Sequence, residues 1–187
     1  MVERPEVTIH IGQVYATREP TVIKTILGSC IAACLLDPVA RVGGMNHFML
    51  PAPANGSGAG DGSHFGIHAM DLLIGAVQKA GGDRRRIQAK LFGGGHVLRM
   101  GATGNSVPER NIQFIEEFVK TEGISVASRD LGGYLPRRIH FFTDTGKVLV
   151  KRLGQHMLRQ TQTEEKEHIR AITQAAPVFG QITLFGD

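Results

Sequence analysis

Thr25–Pro51 reads TILGSCIAACLLDPVARVGGMNHFMLP, and this stretch predicts a β-hairpin. Ile31–Leu36 is an apolar run too short for a helix, and Asp37-Pro38 ends it with a turn signal, because proline fixes φ at the first central position. The chain extends again from Arg41-Val42 to Phe48-Met49-Leu50, where Pro51 stops it. With Asp37, Pro38, Val39 and Ala40 as the turn, Leu36 pairs with Arg41 and, six pairs further down, Cys30 faces His47. Directly opposed residues share a face with Cβ atoms ~4.5–5.5 Å apart, close enough for a thiol and an imidazole to exchange a proton. A bulge that slips one strand by one residue would send the two side chains to opposite faces.

A nucleophilic cysteine needs a base, donors for an oxyanion and room for its substrate. Gly28-Ser29 lets the backbone bend just ahead of Cys30 and leaves amide N–H groups to meet a bound carbonyl. Gly43-Gly44 carries no side chains, so a substrate could approach the partner strand closely. Asn46 precedes His47, and Gly28, Ser29, Gly44 and Asn46 are together the expected oxyanion and substrate lining. Pattern alone also allows a structural pair. A cysteine in an apolar strand is commonly a small buried hydrophobe, as Cys34 is expected to be, and His47 could be a hydrogen-bonded core histidine.

LGSC at 27–30, GGMNHFMLP at 43–51, AKLFGGG at 89–95, ERNI at 109–112, DLGG at 130–133 and TGKVLVKRL at 145–153 occur in order. Over residues 8–154 they resemble the CheD family, the chemoreceptor glutamine deamidases of bacterial chemotaxis. The resemblance implies that Cys30 is the nucleophile and His47 its base. It also implies a catalytic threonine six positions before the cysteine, a position that holds Lys24 here, with Thr25 beside it. Neighbouring strand residues face opposite ways, so Thr25 is expected to orient His47 only from a bulged strand or a shifted alignment. The implied partners are methyl-accepting chemotaxis receptors as substrate and a CheC-type phosphatase as regulator. No cofactor is implied.

Composition agrees with one substantial domain. Of 187 residues, 42% are apolar and 20% charged, and 24 glycines point to tight turns rather than a helical bundle. The formal charge of +4 is scattered apart from Arg84-Arg85-Arg86 and Arg137-Arg138, so an acidic protein surface is a more natural partner than nucleic acid. Two cysteines four apart do not make a disulfide framework, and neither a signal peptide nor a membrane-length apolar run is present, which points to the cytoplasm.

The remaining chain alternates short strands with helices. Strands are expected at 7–11, 14–16, 22–27, 87–92, 124–128, 138–143 and 147–153, and helices at 65–80, 107–122 and 157–175, with a last strand at 181–185. Residues 51–64 are a candidate flap over the site, and His64 with His68 has one-face helical spacing but no third ligand for a metal. Gly93-Gly94-Gly95 lacks a phosphate-loop pattern and reads as a strand end where backbone meets backbone. Arg110-Asn111 serves either helix capping or support of the site.

This pattern gives an α+β fold with mixed or antiparallel pairing. The resemblance adds two stacked sheets flanked by helices in α/β/β/α order, related to the deamidase domain of cytotoxic necrotizing factor toxins. Residues 1–154 form the expected deamidase domain and 155–187 a helical extension with a short strand, packed on it or docking a partner. The expected chemistry is hydrolysis of a protein glutamine through a thioester on Cys30. Two rivals stay open: a non-catalytic adaptor that binds receptors or CheC, and a transglutaminase-like transferase that passes the same thioester to an amine.

Overall fold

The computed structural model describes residues 4–51, 62–97 and 106–174, without the side chains at 155, 156 and 172–174. The hairpin is present as β4 (Ile31–Asp37) and β5 (Val42–Asn46). Its register differs from the expected one: Asp37 pairs with Val42 and Cys34 with Met45, so the loop is 38–41. Two features make this loop. The Asp37 carboxylate accepts the N–H groups of Val39 at 2.9 Å and Ala40 at 3.1 Å, and Arg41 takes a left-handed φ of 54°. Continued to the Ile31–Phe48 bridge, this register puts His47 opposite Ala32 rather than Cys30. The offset is even, so Cys30 and His47 keep a common face as diagonal neighbours.

Two mixed sheets form around this hairpin. The five-stranded sheet runs β2 (Val14–Thr17), β5, β4, β6 (Gln88–Gly93) and β7 (Ser125–Leu131), with β6 and β7 parallel. The four-stranded sheet runs β1 (Glu6–Thr8), β3 (Val22–Leu27), β8 (Arg137–Phe142) and β9 (Val148–Arg152), with β1 and β3 parallel. β4 is apolar on both faces because it has a core on each side. Ile31, Ala33 and Leu35 face helices α1 (Ser63–Lys79) and α2 (Val107–Thr121), while Ala32 and Cys34 meet Ile23, Leu27, Ile139 and Phe141 of the other sheet. Met70, Leu73, Ile74 and Val77 make the buried stripe of α1, at the helical spacing read from sequence.

The third helix, α3 (Gln155–Gln174), does not share that core with α1 and α2; its Ile169 packs on the cluster between the sheets. The candidate flap at 51–64 lies mostly, and the final strand at 181–185 entirely, outside the described residues. His64 and His68 are exposed on α1, and among the described residues no group of three metal-ligating side chains occurs. No described helix is long and apolar enough to cross a membrane.

Asp37 ties the hairpin to the rest of its sheet. Its carboxylate is fully buried, pairs with Arg86 at 2.7 Å and also accepts the Asp83 N–H at 2.8 Å. The Arg86 guanidinium, helped by the backbone donors and opposed by burial, holds this carboxyl well below the usual carboxylate range. A depressed folded-state pKa stabilises above the unfolded value of ~3.9 and loses that effect as pH falls toward the folded value. Asp37→Asn should therefore lower the unfolding free energy by about 3 kcal/mol at neutral pH. In urea titrations the gap between variant and wild type should narrow below pH ~4.

Candidate active site

The link Gly28–Cys30 carries the chain from β3 of one sheet into β4 of the other. All three of its carbonyls are taken from within: Gly28 O accepts the Gly95 N–H at 2.7 Å, Ser29 O the Asn111 Nδ2 at 2.8 Å, and Cys30 O the Gly94 N–H at 2.8 Å. With the carbonyls fixed that way, the N–H groups of Ser29 and Cys30 point together to the other side. They converge on one oxygen, Oε1 of Glu165 from α3, at 2.7 and 3.2 Å.

Three of the sequence motifs build the support for this link. Gly93 has φ 115°, and a Cβ there would lie 2.0 Å from Cys30 O, so only glycine allows the close approach. The DLGG loop holds this strand end through Gly132 N–H to Gly93 O at 2.9 Å and His96 N–H to Gly133 O at 2.7 Å. Buried Arg137 in turn donates to Asp130 Oδ1 at 2.9 Å and to the Gly132 carbonyl. Asn111 supports the site rather than capping a helix: while its Nδ2 holds Ser29, its Oδ1 accepts the Leu50 N–H at 2.9 Å.

His47 meets Thr25 across the two sheets. Thr25 Oγ1 lies 2.9 Å from the Ile9 carbonyl and 2.8 Å from His47 Nδ1. A carbonyl only accepts, so the hydroxyl proton goes to Ile9 and the hydroxyl oxygen accepts from Nδ1–H. That fixes the tautomer and leaves Nε2 with its lone pair, buried and, among the described residues, without a hydrogen-bond partner. β3 needs no bulge for this, since its pairing with β8 is regular from Val22 to Leu27. Thr25 points inward and Lys24 outward to Glu6.

Gly44 and Asn46 are not brought to this place. A Cβ on Gly44 would lie 2.7 Å from Ala16 Cβ and 3.0 Å from Leu73 Cδ1, so the missing side chain makes room for α1 rather than for a substrate. Asn46 also faces α1, accepting the Ala33 N–H at 3.0 Å and donating to Ala69 O at 3.0 Å. Parity explains both: they alternate with Met45 and His47, which face the other sheet. Gly43 packs against Thr143 at the end of β8.

The thiol and the imidazole are both shut off from solvent, with Cys30 0% and His47 4% exposed. Burial, and then the charge and hydrogen bond of Glu165, push the Cys30 thiol well above its ordinary pKa. Burial, and then repulsion from His168 and His10, push His47 down to about 3. At rest the thiol and the imidazole are therefore both neutral. On the His47 side a cleft of about 690 Å³ is lined by Ile9, Thr25, His47, His140, Glu164 and His168, among others, and not by Cys30.

The family model described as CheD chemotactic sensory transduction matches residues 49–152. The probable chemoreceptor glutamine deamidase CheD of Stenotrophomonas maltophilia (strain K279a) is 46% identical over 168 residues, 89% of this chain and 82% of its own. That of Thiobacillus denitrificans is 42% identical over 181 residues, 93% of this chain and 86% of its own. Probable chemoreceptor glutamine deamidase CheD 1 of Shewanella oneidensis is 40% identical over 190 residues, 99% and 90% of the two chains.

This chain belongs to the CheD family. Here Gly28, Ser29 and Cys30 meet Glu165, and His47 meets Thr25; Glu165 comes from a part of the chain where sequence reading placed no site residue. The signal available for Glu165 was only its place in a polar helix of charged residues, which is the ordinary look of a solvated face.

A histidine whose folded pKa lies below its unfolded value costs stability as pH falls from ~6.5 toward the folded value, because the unfolded chain takes up the proton first. Nitrogen NMR of His47 should show a neutral ring protonated at Nδ1 and no titration above pH ~4, following from its fall to about 3. An imidazolium signal from His47 at pH ~6 would contradict this geometry.

Proposed function

We propose that this protein hydrolyses glutamine side chains of chemoreceptors to glutamate, with Cys30 as nucleophile, His47 as base and Thr25 as the residue that positions His47. One observation carries the reading: two backbone amides, Ser29 and Cys30, aim at a single oxygen beside a thiol that the strand register puts on the same face as an imidazole. That is the arrangement needed for the oxyanion of an attacked amide. The names of the curated relatives supply the substrate, since each is called a probable chemoreceptor glutamine deamidase.

In the proposed reaction His47 Nε2 takes the thiol proton and the sulfur attacks the amide carbon, placing the carbonyl oxygen where Glu165 Oε1 now lies. His47 returns the proton to the nitrogen, the C–N bond breaks and ammonia leaves. A water that gives its proton to the same histidine then splits the thioester, leaving glutamate and free thiol. Thr25 keeps Nδ1–H engaged throughout, so Nε2 is the one nitrogen that cycles. The reading extends to a cytoplasmic site of action, a CheC-type phosphatase as regulator, and a fold shared with the cytotoxic necrotizing factor deamidase domain, with α3 in the place of the outer helical layer.

Receptor peptides incubated with the wild type should gain one dalton at particular glutamines with release of ammonia, and Cys30→Ala should reduce this to the uncatalysed background. Retention of the gain in Cys30→Ala would sink the assignment. Thr25→Val should lower kcat by about 10–100-fold with little change in KM, since it removes the partner that orients the base. Added primary amine should leave ammonia as the product and no amine adduct on the peptide, which separates hydrolysis from transfer.

A further inference from the structure

We infer that α3 is a product mimic held in cis: Glu165 occupies the subsite for the reacting side chain, and a receptor segment reaches Cys30 only by displacing this helix. The inference rests on the deamidase reading above and deepens it by defining what the site accepts. A glutamate is what the reaction makes. Glu165 is seated as that product would be, with Oε1 on the Ser29 and Cys30 amides and Oε2 accepting the Ser29 hydroxyl at 2.7 Å.

The rest of the helix shows what kind of segment fits. Thr161, Glu165 and Ile169 lie at i, i+4 and i+8 on one helix face, with Thr161 4% and Glu165 1% exposed. A Cβ on Gly28 would sit 2.8 Å from Thr161 Cγ2 and 2.6 Å from Glu165 Oε1, so glycine at 28 is what lets a helix come this near. Gln162 adds a bond to the Val97 carbonyl. Thr163, Glu164, Lys166, Glu167 and Arg170 all stay exposed. The site thus takes a helix through a narrow stripe, with the reacting side chain central and a small residue one turn earlier.

Occupation by Glu165 silences the site twice. It fills the amide donors an oxyanion would need, and its charge, added to burial, keeps the Cys30 thiol protonated. The hold is also exchangeable. Among the described residues Glu165 forms no ion pair; a buried carboxylate satisfied by neutral donors only has its own desolvation working against it. A glutamine amide on a receptor helix can take the Ser29 and Cys30 N–H groups with its oxygen and donate its NH2 to the Ser29 hydroxyl, without that cost.

The test uses full-length wild type, Glu165→Ala and Glu165→Gln, the last also combined with Cys30→Ala. Iodoacetamide should label Cys30, located by peptide mass, about tenfold faster or more in Glu165→Ala than in the wild type, and a helical receptor fragment should be deamidated severalfold faster. Glu165→Gln is nearly isosteric and puts an amide into the site. Sulfur should bond to its side-chain carbon, ammonia should leave, and water should release glutamate, seen as a one-dalton gain at position 165 at a rate independent of protein concentration. The gain should vanish with Cys30→Ala. Wild-type labelling and deamidation rates in Glu165→Ala would overturn the inference, as would a glutamine at 165 that persists in a protein active on receptor fragments. If the glutamine at 165 is converted by Cys30 while receptor fragments stay untouched by every variant, the product mimic stands and the receptor assignment falls.

Discussion

The structure depends on where three carbonyls go. Between β3 and β4 the chain has to cross from one sheet to the other, and a crossing of this kind normally leaves backbone groups without ladder partners. Here Gly95, Asn111 and Gly94 take the carbonyls of Gly28, Ser29 and Cys30, which leaves the amides of Ser29 and Cys30 on the opposite side of the link. Each of those acceptances requires something further. Gly94 and Gly95 can reach the link only because Gly93 has no side chain, and Gly93 is held by the DLGG loop, which buried Arg137 holds in turn. Motifs scattered over more than a hundred residues of sequence are therefore one structural device, whose output is a pair of parallel donors beside a thiol.

The imidazole of His47 and the hydroxyl it meets belong to different sheets. His47 follows β5 of the five-stranded sheet, Thr25 lies in β3 of the four-stranded one, and the hydrogen bond between them crosses the core. Anything that shifts one sheet over the other would change the ring's orientation before it changed either sheet. A threonine hydroxyl suits this place better than a carboxylate. It fixes the tautomer through a neutral bond, whereas a charged partner would raise the pKa of a ring that burial now keeps neutral.

Much of this was legible in the sequence, and the parts that were not have physical causes. Strand β3 matches its expected bounds, and β4 and the apolar stripe of α1 match closely, because hydrophobic period and length decide them. The hairpin register was missed by two, since the turn is set by the Asp37 side chain and by an arginine in left-handed conformation, neither of which a Pro-led turn announces. Parity survived the error, so Cys30 and His47 kept their common face while Gly44 and Asn46, one residue off, turned to α1. Thr25 and Lys24 do face opposite ways, as neighbours on a strand must, and Thr25 reaches His47 from a strand without a bulge, which the sequence does not announce. Glu165 had no local signal at all, because a single buried glutamate in a charged helix looks like its exposed neighbours until the partner is seen.

Glu165 also bears on how a deamidase in this form can be safe in the cell. Reduced cysteines are targets for oxidation in proportion to their thiolate character and exposure. In the state described here Cys30 has neither, since burial and the neighbouring carboxylate act in the same direction on the thiol. In the proposed reaction the sulfur meets an electrophile only when the carboxylate leaves, and what replaces it is the amide to be hydrolysed. Activation and substrate binding are then one event, and the reactive form of the sulfur exists only while its target is in place. A conformational gate far from the chemistry would have to be coupled to the site through packing. Here the gate is a side chain lying on the reacting atoms, so the coupling is direct contact.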